Sequence, residues 1–266
     1  MELQQNLAKI RAQGLGVAGI SYDPVATLKN FAERRGIAYP LLSDKDSSVI
    51  KAFGILNDEV PPDHPFAGIP YPGTYIVDPN GRVVAKYFEA DYSQRYMTSD
   101  ILVREFGASA GLSQTETETK HLTVTSAASA DQVRIGQRIA LTLDIEMKPS
   151  MHVYAPGVQG YIPIEWQMPP SSVIAAHPVE FPKSKMLRLE AIGETVPVYN
   201  GKFRLVRDIT IGKAYLGLLT VEGTLKYQAC DDRMCYVPQT VPLKWTFQVE
   251  PHDRERPPAE LQRKMQ

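Results

Sequence analysis

The sequence predicts an α/β layer followed by an all-β sandwich. Three observations carry this: helical stripes alternate with short apolar runs at the start, a stretch with little to bury follows, and beyond it the hydrophobic period falls to two. At 266 residues the chain has the length of two ordinary domains. The expected division is an α/β domain over 1–106, a linker over 107–120, a sandwich over 121–250 and a tail over 251–266.

Leu3, Leu7 and Ile10 recur at helical spacing and lead through Gly14 and Gly16 into Val17-Ala18-Gly19-Ile20-Ser21, an apolar run suited to a buried parallel strand. Asp23 and Pro24 signal the start of a second helix, Val25, Leu28, Phe31 and Ala32 form its stripe, and Gly36 closes it. A third helix runs from Asp46 to Phe53 and stops at Gly54. Thr74–Val77 and Arg82–Tyr87 flank Asp78-Pro79-Asn80-Gly81, whose turn chemistry makes the pair an antiparallel hairpin.

From Gly107 to Lys120 the composition shifts to Ser, Thr, Ala, Gly and Glu, which reads as the linker. Then Ile139, Leu141, Leu143 and Ile145 alternate with Ala140, Thr142, Asp144 and Glu146. Val241, Leu243, Trp245, Phe247 and Val249 alternate in the same way. Such strands between Pro and Gly turns predict the sandwich, with Trp166 and Trp245 in its core. The charged segment after Glu250, with Pro257-Pro258, reads as a solvated end.

The charge balance, 29 basic against 30 acidic residues, leaves no electrostatic footprint for nucleic acid. No run approaches the roughly 20 apolar residues of a membrane span, and Met1–Asn6 lacks the basic and apolar regions of a signal peptide.

Cys230 and Cys235 are the only two cysteines, in Tyr227-Gln228-Ala229-Cys230-Asp231-Asp232-Arg233-Met234-Cys235-Tyr236. Four residues between two β-like segments let the chain reverse and bring the sulfurs together. A loop this short contributes about 2 kcal/mol in the chain-entropy model, which a domain of this size can fold without. A redox-active pair and a structural staple both fit these facts. Metal binding does not, because no second Cys pair and no H-x3-H partner is present. His64, His121, His177 and His252 show no ligand or triad spacing.

The first domain resembles the thioredoxin-like redoxins of the AhpC/TSA family. The resemblance rests on Val17–Asp23, on Phe31–Asp44 and on Tyr71-Pro72-Gly73-Thr74-Tyr75-Ile76-Val77-Asp78-Pro79-Asn80-Gly81. It implies that Pro72 is a cis proline facing the reactive cysteine. That cysteine and the strand before it do not occur here, so the domain is expected to be catalytically silent, since a thiolate is the nucleophile of this chemistry. Either the gene continues upstream of Met1 or the domain has decayed to a scaffold; the strand edge that a missing first strand would leave unpaired favours the former.

The second domain resembles the immunoglobulin-like N-terminal domain of the thiol:disulfide interchange protein DsbD, on Tyr227–Tyr236, Pro238 and Val241-Pro242-Leu243. Met151-His152-Val153-Tyr154-Ala155-Pro156 looks like the family's strand beside the cysteines, and Gly193–Tyr199 follows what corresponds to its cap loop, about Leu187 to Gly193. The resemblance implies that Cys235 bonds the partner and Cys230 resolves. Tyr154, His152, Tyr227 and Tyr236 would support them, with His152 a candidate proton acceptor. It also implies thioredoxin-fold partners, an extracytoplasmic location, and neither organic cofactor nor metal. Asp231 and Asp232 should oppose a Cys235 thiolate and Arg233 favour it. Two other functions fit: a peroxiredoxin-type antioxidant whose peroxide-reducing Cys lies outside this chain, and a binding module with a structural disulfide.

Overall fold

The computed structural model describes residues 2–88, 94–107, 114–189, 193–213, 216–252 and 255–262. The chain divides into two compact units, Met1–Phe106 with His252–Gln266, and Gly107–Pro251.

The first unit contains helices α1 (Glu2–Gln5), α2 (Leu7–Ala12), α3 (Val25–Arg35), α4 (Ser48–Ala52) and α5 (Thr98–Phe106). Its strands are β1 (Gly19–Ser21), β2 (Leu41–Ser43), β3 (Gly73–Val77), β4 (Val83–Phe88) and β5 (Arg95–Tyr96). β1 and β2 run parallel with Ile20 opposite Leu42, and α3 is the crossover that a parallel pair requires. Gly36 ends α3 in the left-handed region, where a residue without Cβ is unstrained. The hairpin β3–β4 forms as the Asp78–Gly81 turn predicts: the Asp78 carboxylate accepts the N–H groups of Asn80 and Arg82. The segment after Glu250 is not merely solvated, since Glu255 pairs with Arg34 and Arg35 on α3.

The expected cis bond at Pro72 does not form; no cis peptide occurs among the described residues. Trans is the intrinsic preference even before proline, and the Tyr71 N–H already reaches the Ile55 carbonyl at 2.7 Å with that geometry.

The second unit is a β-sandwich. Its strands are β6 (Thr115–Glu118), β7 (Leu122–Ala128), β8 (Gln132–Val133), β9 (Gln137–Met147), β10 (His152–Tyr154), β11 (Glu165–Gln167) and β12 (Ile174–Glu180). They continue as β13 (Lys185–Leu189), β14 (Glu194–Asn200), β15 (Lys202–Ile211), β16 (Gly217–Tyr227), β17 (Ala229–Cys230) and β18 (Gln239–Val249). One sheet runs β12-β15-β9-β7-β6 and another β11-β16-β18-β8, while β13-β14-β10-β17 forms a shorter third.

Strict alternation in β18 buries Val241, Leu243, Trp245, Phe247 and Val249 and leaves the residues between them exposed. β9 departs from its predicted alternation. Ala140 and Thr142 are buried along with Ile139, Leu141, Leu143 and Ile145, so this strand is covered on both faces there. Trp245 stacks on Trp166 and donates its indole N–H to the Ala127 carbonyl on β7, tying two sheets together. Thr115–Glu118, expected as linker, is strand β6, because its alternating Thr and Glu residues satisfy the backbone edge of β7.

A candidate thiol–disulfide site

The site is built where the third sheet ends. β10 pairs with β14 on one side and β17 on the other, placing His152 opposite Cys230 and Tyr154 opposite Val198. Past Cys230 the chain turns and Cys235 returns as its bridge partner, with the two Cα atoms 4.0 Å apart and the sulfurs bonded. The two halves of the disulfide differ in environment. Cys230 is 2% exposed within a cluster of Tyr154, Val196 and Val198, whereas Cys235 is exposed on the loop.

Apolar residues flank the open sulfur. Met234 is 57% exposed and Val237 76%, and large apolar side chains left in water beside a reactive atom are what a docking partner would cover.

Tyr154 sits behind the disulfide with its hydroxyl 3.7 Å from Cys235 Sγ. A disulfide carries no S–H, so any hydrogen bond runs from the tyrosine O–H to sulfur. Burial, aided by the Glu194 charge, pushes the Tyr154 hydroxyl above its ordinary value and keeps it a donor. Its ring stacks on Tyr161 at 4.3 Å, and the Tyr161 hydroxyl donates to Glu194 Oε2 at 2.9 Å.

The loop itself is held from within. The Asp231 carboxylate accepts the N–H groups of Arg233 and Met234, both at 2.8 Å, and the Tyr236 hydroxyl at 2.7 Å. These bonds, the Tyr236 one first, hold the Asp231 carboxyl down to about 2. Gln228 Nε2 donates to the Tyr236 carbonyl, and the Tyr236 N–H to the Ala229 carbonyl.

Two histidines lie beneath. His152 is buried and meets the Tyr154 ring edge-on. His121 is buried against the Tyr236 ring at 4.6 Å and faces the Tyr227 edge. Burial lowers both imidazoles below their ordinary value, with Lys120 assisting at His121 and Asp232 and Asp231 opposing at His152.

The neutral folded imidazoles bind fewer protons than those of the unfolded chain once the pH falls below about 6.5. Folding stability is therefore expected to be full near pH 7 and to decline as pH drops through that value toward 5. A His121→Gln, His152→Gln double variant should flatten the decline, as read from urea midpoints across that window. An equally steep decline in the variant would remove the histidines from the explanation. The contribution of Asp231 has the opposite assignment, present above pH 4 and lost only as pH falls toward 2.

Of the expected supporting residues, Tyr154, His152 and Tyr236 gather around the disulfide. Tyr227 does not: it is 0% exposed in the sandwich core, with its hydroxyl on Thr119 Oγ1. The expected cap loop begins as strand. Leu187 to Leu189 pair along β14, and Leu187 and Leu189 pack on the Cys230 cluster, so alternation turns them inward as cover for the buried sulfur. Residues 190–192 of the expected cap loop lie outside the described residues. Sequence spacing gave no sign of Tyr161 or His121 as neighbours of the site. Glu194 stood inside the quoted Gly193–Tyr199 match, without a role.

Two family models match the chain. Residues 1–86 match the AhpC/TSA family, and residues 118–245 match the N-terminal domain of thiol:disulfide interchange protein DsbD. The chain joins an AhpC/TSA segment to a DsbD N-terminal domain. Its fold is accordingly a thioredoxin-like redoxin segment followed by an immunoglobulin-like β domain.

Among curated relatives, Peroxiredoxin Bcp of Escherichia coli is 31% identical over 85 residues, covering 30% of this chain and 51% of that protein. Peroxiredoxin Q of Arabidopsis thaliana is 37% identical over 79 residues, covering 30% and 34%. The chain thus spans about half the length, or less, of the curated relatives it matches. The DsbD N-terminal domain of Neisseria meningitidis in its reduced form is 17% identical with a TM-score of 0.30, covering 47% of this chain and 90% of that one. The N-terminal periplasmic domain of ScsB from Proteus mirabilis is 15% identical with a TM-score of 0.35, covering 50% and 49%.

Among the described residues no cluster of His, Cys, Asp and Glu could hold a metal ion, and no helix is long and apolar enough to cross a membrane.

Proposed function

We propose that the DsbD N-terminal domain of this chain passes reducing equivalents to or from thioredoxin-fold proteins through Cys235 and Cys230. The two domain matches together with the disulfide support thiol–disulfide redox activity. The observation that carries the proposed roles is the asymmetry of the pair: Cys235 is exposed on a loop, and Cys230 is buried behind it.

In the reducing direction the Cys235 thiolate attacks a partner disulfide. A mixed disulfide forms, and one partner sulfur leaves as thiolate. The Cys230 thiolate then attacks Cys235 Sγ, closing the internal bond and expelling Cys235 from the partner, whose second sulfur departs with its electron pair. Two electrons pass to the partner and its two sulfurs take up two protons. The Tyr154 hydroxyl is placed to donate to sulfur at position 235 while charge resides there, and buried Cys230 is shielded from outside attack. His152, opposite Cys230, supplies an imidazole for the resolving proton. The DsbD N-terminal match supports an extracytoplasmic location, a setting in which disulfides also persist.

Measured against glutathione, the pair is expected to equilibrate with a reduction potential above about −300 mV. A lower value, with no opening in mild reductant, marks an inert staple and rejects the proposal.

A second reading is favoured by the peroxiredoxin matches over residues 1–86: an antioxidant redoxin recycled by the sandwich. Its peroxide-reducing thiol is not among these 266 residues, whose cysteines are Cys230 and Cys235 alone.

A further inference from the structure

The loop between the cysteines carries two adjacent acidic residues that the structure treats differently. Asp231 turns inward and takes three hydrogen bonds, from the N–H groups of Arg233 and Met234 and from the Tyr236 hydroxyl. Asp232 is exposed. The donors on Asp231 span both sides of Cys235, since Met234 precedes it and Tyr236 follows it. The Asp231 N–H also donates to the Met234 carbonyl at 3.0 Å, closing the turn from the other direction.

Tyr236 is itself immobilised. Its ring lies on His121, the Lys120 ammonium stands 5.6 Å above it, and its backbone is bonded to Gln228 and Ala229. A carboxylate bonded to so fixed a hydroxyl is a fixed point, and the loop amides hang from it. Charge-assisted bonds of this kind are stronger than neutral ones, and here they act on a loop with no strand partner of its own.

We propose that Asp231 is a positioning residue of the exchange reaction: its carboxylate clamps the 230–235 loop so that the reduced Cys235 sulfur stays opposed to Cys230 while remaining open to a partner. This rests on the exchange function proposed above. The disulfide already fixes the loop in the oxidised state, so the clamp acts chiefly on the dithiol. Without it the reduced loop samples more conformations, the two sulfurs meet less often, and ring closure becomes harder. Asp232 shares the charge and the sequence neighbourhood without the bonds, which makes it the matched control.

The test is the equilibrium of the full chain with glutathione at pH 7. Two glutathione thiols reduce the disulfide to Cys230 and Cys235 thiols and leave as glutathione disulfide, a transfer of two electrons and two protons. Asp231→Ala is expected to shift this equilibrium toward the dithiol by about tenfold, equivalent to about 30 mV in a two-electron couple. Asp231→Asn keeps an oxygen for the two loop amides and should recover most of the shift, and Tyr236→Phe, which removes one bond of three, should give roughly threefold. Asp232→Ala, which removes a neighbouring exposed charge but no loop bond, should shift the equilibrium by no more than about twofold.

Near-ultraviolet circular dichroism from Trp166 and Trp245 establishes that each variant is folded. An Asp231→Ala protein with the parent equilibrium overturns the clamp. Should that variant not fold, a parent-like Tyr236→Phe overturns it instead. If the parent disulfide itself never equilibrates with glutathione, it is the exchange function that fails, so the two outcomes are separable.

Discussion

Cys230→Ser should accumulate a stable mixed disulfide with a thioredoxin-fold partner through Cys235, whereas Cys235→Ser should form none. The first variant keeps the exposed nucleophile and removes the buried group that would resolve the complex. The second keeps only a sulfur that is 2% exposed and cannot be reached. The expected difference is complete, from near-stoichiometric trapping to background on a non-reducing gel. Folding does not confound it. Opening a loop of five-residue separation costs about 2 kcal/mol of denatured-state constraint, against a sandwich whose core runs through β9, β15, β16 and β18. Equal trapping by both variants would remove the assigned roles, and none by either would leave the disulfide a staple.

Tyr227→Ala should destabilise the sandwich by about 3–5 kcal/mol, the loss that accompanies deletion of a large buried aromatic. The ring is 0% exposed, meets His121 edge-on, and sends its hydroxyl to Thr119 Oγ1 at 2.9 Å. Tyr227→Phe keeps the ring and gives up that bond, so about 1 kcal/mol is expected. Urea unfolding followed by tryptophan fluorescence reads this unit alone, because Trp166 and Trp245 are the chain's only tryptophans and both lie in it. A cost below about 1 kcal/mol for Tyr227→Ala would mean that the site can collapse around the gap. The folded fraction of either variant should still exchange disulfides, which separates a core aromatic from one that attends the sulfurs.

The confusion over Tyr227 shows where sequence reasoning stops. Tyr227 and Tyr236 both flank the cysteines in the sequence, three residues before Cys230 and one after Cys235. Only Tyr236 bonds the redox loop. Strand β16 has period two, and position 227 falls on its inward phase along with Val221, Gly223 and Leu225. Tyr236 follows the turn, where no period applies.

Much was legible from residue order alone. The alternation of β18, the Asp78–Gly81 hairpin and the capped helix before Gly36 are local patterns, set by side-chain size, polarity and the conformational freedom of glycine, and they formed where those patterns lay. The pairing of the two cysteines was legible for the same reason, since five residues of chain hold both sulfurs near each other whatever else folds. Local chemistry did not decide that Cys230 would be sealed and Cys235 open, that Tyr154 would reach across 81 positions to the exposed sulfur, or that Tyr161, Glu194 and His121 would stand around it. Nor did it decide that Pro72 would stay trans. Those outcomes depend on which strands become neighbours. The order β14-β10-β17 is fixed by the summed burial and backbone bonding of the whole sheet, a long-range balance that no short stretch of sequence contains.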